Sequence, residues 1–360
     1  VTPIMEIINK LPKRFSIYPP MLLLPPSTDD SILKGLSSSQ FESILQYFTT
    51  NHSPKCVKLT HLAINRPIPI EKQCTITSNL ANDNDDYNSI RSPSQMTMLY
   101  GNFNNFWVST IQNGIFQTWM PYYTMFSRGN IKEKSRILNA IDFPNDTRYQ
   151  PYSTGILNET IFDLYVGIGY FTLSYLSRGA RRVVCWDINP KSVEGLIKGV
   201  LGNKFGGLYH IKKGEPFLWS KAIDPNVRCI VFEESNEMAM NRMMELINQV
   251  GIDQVKSQFG ITHFNLGMLP SSKPIWKLTC ELACKFGKVE SPIWIHVHDN
   301  VATEDIETWQ KDVENYIHRE TSALSRMKWV EHVKTYAPEV WHLVGDVEID
   351  FTRAEKMTNL

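Results

Sequence analysis

From about residue 121 onward, short apolar runs alternate with stretches whose apolar residues recur at helical spacing. The runs predict strands over 161–166, 182–186, 227–232, 261–266 and 293–297. The stretches between and after them predict helices over 171–177, 192–200, 238–247, 275–286 and 306–324. Two more strand-like segments, 329–336 and 340–351, surround Pro338 and form a closing hairpin. The methionines of 238–244 fall at helical spacing and belong to a core face. Residues 199–226, with Gly202, Gly206, Gly207 and Gly214, read as an inserted loop.

Before residue 121 the pattern is different. Pro3, Pro12, Pro19, Pro20, Pro25 and Pro26 punctuate the first thirty residues and predict an extended segment laid on a surface. One helix is expected over 39–49, a polar loop over 78–95, and short strands or a hairpin over 96–119. The expected organisation is therefore a smaller α+β domain over 1–120 and an α/β domain with a mostly parallel sheet over 121–360.

Composition narrows the field. With 360 residues, 42% apolar and 21% charged, the chain is an ordinary globular protein of two domains. Lys+Arg 37 against Asp+Glu 37 excludes a globally polycationic nucleic-acid binder, although a local basic face remains open. Candidate phosphate contacts are Lys10, Lys13 and Arg14, then Lys132, Lys134 and Arg136, then Lys273 and Lys277. The six cysteines show no disulfide framework and read as reduced thiols, which places the protein in the cytoplasm. Cys280 and Cys284 share a helix face, but no zinc-spaced partners follow, so no metal is expected. No apolar run is long enough to span a bilayer. The first residue is Val1 rather than Met, which leaves a removed leader open.

The most informative stretch is Asp163-Leu-Tyr-Val-Gly167-Ile-Gly169-Tyr-Phe171, where a strand ends, a glycine turn follows and a helix begins. Gly167 and Gly169 would let the backbone approach a ligand. Asp187, at the end of the next strand, stands where a carboxylate accepts both ribose hydroxyls. A dinucleotide fold would want a third glycine where this chain has Thr172, so S-adenosylmethionine (SAM) fits better than NAD. Together with the closing hairpin, this is the layout of a class I SAM-dependent transferase.

Other candidates lie at the same ends of the strands. Glu234, Ser235 and Asn236 follow the third strand, where they could meet an adenine or simply cap the next helix. Asn130 and Glu133 have nearly capping-box spacing, which leaves Ser127, Gly129 and Lys134 unexplained. Lys134 and Arg136 could neutralise a carboxylate or a phosphate. Asn265-Leu-Gly-Met-Leu-Pro270-Ser-Ser272 ends the fourth strand with a mostly apolar loop in place of a polar-Pro-Pro-aromatic motif. His296 and His298 share a strand face and read as a hydrogen-bonded pair before a metal site.

Taken together, Phe126-Ser127 with Gly129-Asn130 and Glu133-Lys134, the 163–172 stretch, Trp186-Asp187-Ile-Asn189-Pro190, the 265–272 loop and Ile295-His-Val-His-Asp-Asn300 resemble the tRNA wybutosine-synthesizing protein 2 family. The resemblance covers about 120–350. It implies transfer of the 3-amino-3-carboxypropyl group of SAM to 4-demethylwyosine, beside the anticodon of phenylalanine tRNA, with 5′-methylthioadenosine leaving. It implies SAM contacts from Ser127, Lys134, Asp187 and the Ser235-Asn236 pair, with Asp163, Gly167, Gly169 and Glu234 completing the pocket. Glu133 is the candidate proton acceptor, and Asn265 and Pro270 are the candidates at the reacting base. Asp187 replaces a common Glu, and Glu233-Glu234-Ser235 replaces the usual Gly-Asp-Asn. The rival readings are a SAM-dependent guanosine N1 tRNA methyltransferase and a catalytically idle RNA-binding subunit of the same fold.

Overall fold

The computed structural model describes residues 3–66, 96–103, 105–124, 126–153, 156–288 and 290–352. The chain divides into two compact units, Val1–Phe126 and Ser127–Leu360, against the expected boundary near residue 120.

In the first unit, the proline-rich opening is not extended throughout. Pro3–Lys10 forms helix α1, because a proline in the first turn forfeits no helical hydrogen bond. Ser16–Tyr18 (β1) and Met21–Leu24 (β2) pair antiparallel around Pro19-Pro20. Helix α2, Ser38–His52, starts with a capping box between Ser37 and Gln40. His61–Ile64 (β3) adds parallel to β2, and Thr97–Tyr100 (β4) pairs antiparallel with β3. Leu22, Leu24, Ile44, Leu45, Leu62 and Ile64 form the core of this unit. Val108–Gln112 (β5) and Ile115–Trp119 (β6) make the expected hairpin. The loop expected over 78–95 lies outside the described residues.

The second unit opens with helices Ile131–Asn139 (α3) and Gln150–Ser153 (α4). Strand Thr160–Asp163 (β7), helix Thr172–Ser177 (α5), strand Arg182–Asp187 (β8) and helix Pro190–Gly202 (α6) then follow as expected. The supposed insertion is instead part of the sheet. It contains Gly207–Lys212 (β9), parallel to the next strand, and helix Trp219–Ala222 (α7). Its glycines suggested a loop, but Ile211, Phe217 and Ala222 are core residues, and burying them offsets the cost of ordering the segment. Gly207 is needed because a side chain there would collide with the Asn226 carbonyl.

Val227–Glu233 (β10), Ala239–Val250 (α8), Ile252–Phe259 (α9), Ile261–Leu266 (β11) and Trp276–Phe286 (α10) continue the alternation. Ile293–Ala302 (β12) and Ile306–Thr321 (α11) lead to the hairpin of Leu324–Ala337 (β13) and Val340–Asp350 (β14). The eight-stranded sheet runs β13-β14-β12-β11-β7-β8-β10-β9. The six strands from β12 to β9 are parallel, and the hairpin adds antiparallel to β12. Of the methionines expected on a core face, Met243 lies in the core and Met240 packs against it, but Met238 is exposed. No described helix is long and apolar enough to cross a membrane.

Candidate functional site

The order in which successive strands are added reverses between the parallel β7 and β11, which opens a crevice at the carboxyl ends of these two strands. Asp163 ends β7 and is fully buried. Its two oxygens accept from the Thr172 hydroxyl (2.7 Å) and from Asn265 Nδ2 (3.0 Å). Burial raises the Asp163 pKa, and these hydrogen bonds from Asn265 and Thr172 oppose it. Asp163 therefore ties the start of α5 and the end of β11 to β7. Asn265, expected at the reacting base, is itself fully buried and donates its amide nitrogen to that tie, while its Oδ1 has no hydrogen-bond partner among the described residues.

The glycine turn follows. Gly167 has φ +54° and Gly169 φ +89°, both left-handed. A side chain at Gly167 would meet the Tyr170 ring at 2.7 Å, and one at Gly169 would meet Leu196 Cδ1 at 2.7 Å and Leu173 at 3.0 Å. Gly169 thus lets α5 and α6 close together, while Gly167 lets Tyr170 fold back over the turn. Asp187, half-buried at the end of β8, accepts from the Gly167 amide (2.9 Å) and the Asn189 amide (2.8 Å). Burial pushes its pKa up to about 6, against the pull of these two hydrogen bonds. A positive-φ glycine turn anchored to a carboxylate with acceptor capacity to spare suits an adenosine ribose.

Lys134 reaches this turn from α3. It is 3% exposed, its ammonium lies 5.5 Å from the centre of the Tyr170 ring, and burial lowers its pKa to about 7. Ser127, half-buried ahead of α3, accepts from Lys334 Nζ at 2.6 Å. A side chain at Gly129 would strike Lys334, which explains the glycine two residues after Ser127. The sequence held no signal for Lys334, and Tyr170 lies in the glycine stretch without a residue type that marks it out.

Other expected residues have different duties. Glu133 is fully buried, with Oε1 accepting from Arg136 Nη2 (2.7 Å) and the Tyr152 hydroxyl (2.7 Å) and Oε2 accepting from Arg136 Nε (2.9 Å). Both oxygens accept hydrogen bonds, so Glu133 braces α3 through its ion pair with Arg136. Arg136 also donates to Asp346 at 2.6 Å and is 1% exposed, which removes it from the phosphate-contact candidates. Glu234 has both oxygens on Arg242, each at 2.7 Å. Ser235 caps the turn that follows it, and Asn236 donates to the Leu164 carbonyl (2.6 Å), joining this loop to the first. Pro270 is exposed, and its carbonyl accepts from the Asn300 amide at 2.7 Å.

His296 and His298 do not pair with each other as expected but enter two separate hydrogen-bonded groups, one of three residues and one of two. His296 Nδ1 meets Asp346 (2.6 Å) and its Nε2 meets His263 (2.9 Å), while His298 meets His342 (3.1 Å). Among the described residues, no group of three or more His, Cys, Asp or Glu side chains could hold a metal ion.

A doubly wound sheet with an antiparallel closing hairpin, a glycine turn after its first strand and an acid after its second defines the class I SAM-dependent transferases. No family model matches the chain. It is 34% identical to tRNA wybutosine-synthesizing protein 2 of Saccharomyces cerevisiae, over 96% of this chain and 75% of that protein. The protein of the same name from Schizosaccharomyces pombe is also 34% identical, with the same coverage of both chains. The chain belongs to the tRNA wybutosine-synthesizing protein 2 family. In fold it is similar to TYW2 of Pyrococcus horikoshii, solved in complex with MeSAdo (TM-score 0.56, 16% identity, 96% of this chain and 94% of that one). Trm5b of Pyrococcus abyssi is a comparable neighbour (TM-score 0.55, 14% identity, 98% and 79%).

Proposed function

We propose that this protein transfers the 3-amino-3-carboxypropyl group of SAM to 4-demethylwyosine, beside the anticodon of phenylalanine tRNA, in wybutosine biosynthesis. Family membership across 96% of the chain carries this reading. The glycine turn and Asp187 fit the donor. Bound SAM supplies a sulfonium whose attached carbons are already activated, so the group that moves is the one whose carbon lies in line with the attacking base.

The protein's own task is then to orient and to exclude water. Asp187 would hold the ribose, with Gly167 and Gly169 allowing close approach and Asp163 keeping the crevice walls together. Lys134 and Ser127 would hold the methionyl carboxylate, which fixes the arm that must move. A carboxylate beside Lys134 would restore the full charge that burial withholds from it. Asn236 and Ser235, with Glu234 bracing their loop, would border the adenine. The loop from Asn265 through Pro270 would border the tRNA base. A tRNA substrate and the free thiols of Cys56, Cys185, Cys229, Cys280 and Cys284 suit the cytoplasm.

The decisive assay incubates the protein with SAM and tRNA bearing 4-demethylwyosine, then identifies the released nucleoside by mass. Methylthioadenosine, with the base heavier by one aminocarboxypropyl group, is the expected result. S-adenosylhomocysteine would instead mean methyl transfer and would overturn the proposal.

A further inference from the structure

Joining the base to the transferred group costs the base one proton. The C–S electron pair stays with methylthioadenosine, and the sulfonium's positive charge leaves as that proton. Glu133 is buried and already accepts three hydrogen bonds, two of them from Arg136. Another pair of groups does have open valences. His298 on β12 and His342 on β14 are each 1% exposed, with His298 Nδ1 3.1 Å from His342 Nε2. Their outer nitrogens, His298 Nε2 and His342 Nδ1, are buried and have no hydrogen-bond partner among the described residues.

The pair lies at the carboxyl end of the sheet. The Phe171 ring, one residue after Tyr170, is centred 5.0 Å from the His298 ring and packs where a side chain at Gly267 would stand. The His298 carbonyl accepts from the Ser272 amide, so the loop after β11 is stitched to this strand beside the histidine. Across the hairpin His342 is paired with Lys334, the donor to Ser127. The pair therefore spans from the loop bordering the base to the residues expected around the methionyl arm.

A neutral imidazole carries one N–H and one lone pair. With a single proton shared between the facing nitrogens, one outer nitrogen is an N–H and the other a lone pair, whichever tautomer is chosen. Burial holds both rings neutral, taking His342 down to about 3 with help from Lys334. It takes His298 well below the usual range, with His342, His296 and Arg136 adding to the effect. Neither ring can keep an added proton, but the two together can pass one on.

We propose that His298 and His342 form a neutral two-ring relay that carries away the proton released when the base is alkylated. This rests on the function proposed above. His298 Nε2 takes the proton through one water admitted beside it, the Nδ1 proton of His298 moves to His342 Nε2, and the Nδ1 proton of His342 passes to a second water admitted beside that buried nitrogen. Both rings end neutral with their tautomers exchanged, and exchange with water resets them before the next turnover. A weak base suffices because an alkylated base that still holds its proton is a strong acid.

Nitrogen-15 spectra of the histidine-labelled full chain, free of ligand, test the resting state. Two neutral, mutually hydrogen-bonded rings at pH 7 are expected, and an imidazolium at either position overturns the relay. His298→Gln and His342→Gln break the chain from opposite ends, so either one that folds is informative. Each should lower single-turnover transfer about 100-fold while calorimetric SAM affinity stays within about twofold. A merely structural role would move both readouts together. Transfer within about threefold of the parent in a variant that binds SAM sinks the relay alone. A parent protein that releases no methylthioadenosine sinks the proposed function and the relay with it.

Discussion

At Gly169 a single missing side chain settles both backbone and packing. Its φ of +89° is costly for any other residue, and an added methyl would press on Leu196 and Leu173. Gly169→Ala should cost about 1–3 kcal/mol, read as a lower urea midpoint, and should weaken SAM binding by displacing the turn. Asp187 offers a pH test. A carboxyl raised to about 6 is ionised above that pH and protonated below it, and protonation removes one acceptor from the ribose site. SAM affinity measured by calorimetry should therefore fall as pH drops through about 6, and fall again as pH rises past about 7, where Lys134 loses its charge. The fall on the acid side should vanish in Asp187→Asn. These two residues were legible in the sequence because a positive-φ turn and a strand-end acid are requirements of a few neighbouring residues. Glu133 was less legible for the opposite reason. Its spacing announces a helix start, but whether its oxygens are free depends on Arg136, Tyr152 and their packing.

At the scale of elements, α3 carries Lys134 into the site while its own charged residues are buried beneath it. Arg136 ties the helix to Asp346 of β14, and Lys334 of β13 ties Ser127 to the same hairpin. The hairpin thus positions the segment expected to hold the methionyl arm, although its sequence reads only as a way to finish the sheet. Asp346 is fully buried, so Asp346→Ala would strip Arg136 of one of its two carboxylates and His296 of its partner. That should cost about 3–5 kcal/mol, seen in denaturant melts. Arg136→Met strands both Asp346 and Glu133, so its cycle with Asp346→Ala should be non-additive, and strict additivity would refute the coupling. Two elements departed from the expected pattern for local reasons. Prolines suggested an extended α1 but one of them occupies the first helical turn, and glycines suggested a loop where β9 runs.

For the whole molecule, zero net charge requires any tRNA contact to come from a local face. Lys10, Lys13, Arg14, Lys273 and Lys277 are exposed and remain candidates, whereas Arg136 is spent inside the core. Binding to tRNA should weaken linearly on a log–log plot against salt, with a slope that becomes shallower by about 0.7–0.9 for each lysine removed that truly meets a phosphate. An affinity indifferent to salt would argue against a phosphate-reading face. The sequence by itself determined the succession of strands and helices, the glycine turn, Asp187 and the closing hairpin, because periodicity and turn chemistry act between near neighbours along the chain. Its quoted motifs were enough to point to the family. Only the tertiary structure decided which polar groups are free and which are spent. Arg136 finds Asp346 across 210 residues, Asp163 finds Asn265 across 102, and His298 finds His342 across 44. Such partners are chosen by sheet order and register, and a buried polar group must take whatever partner the packing brings it.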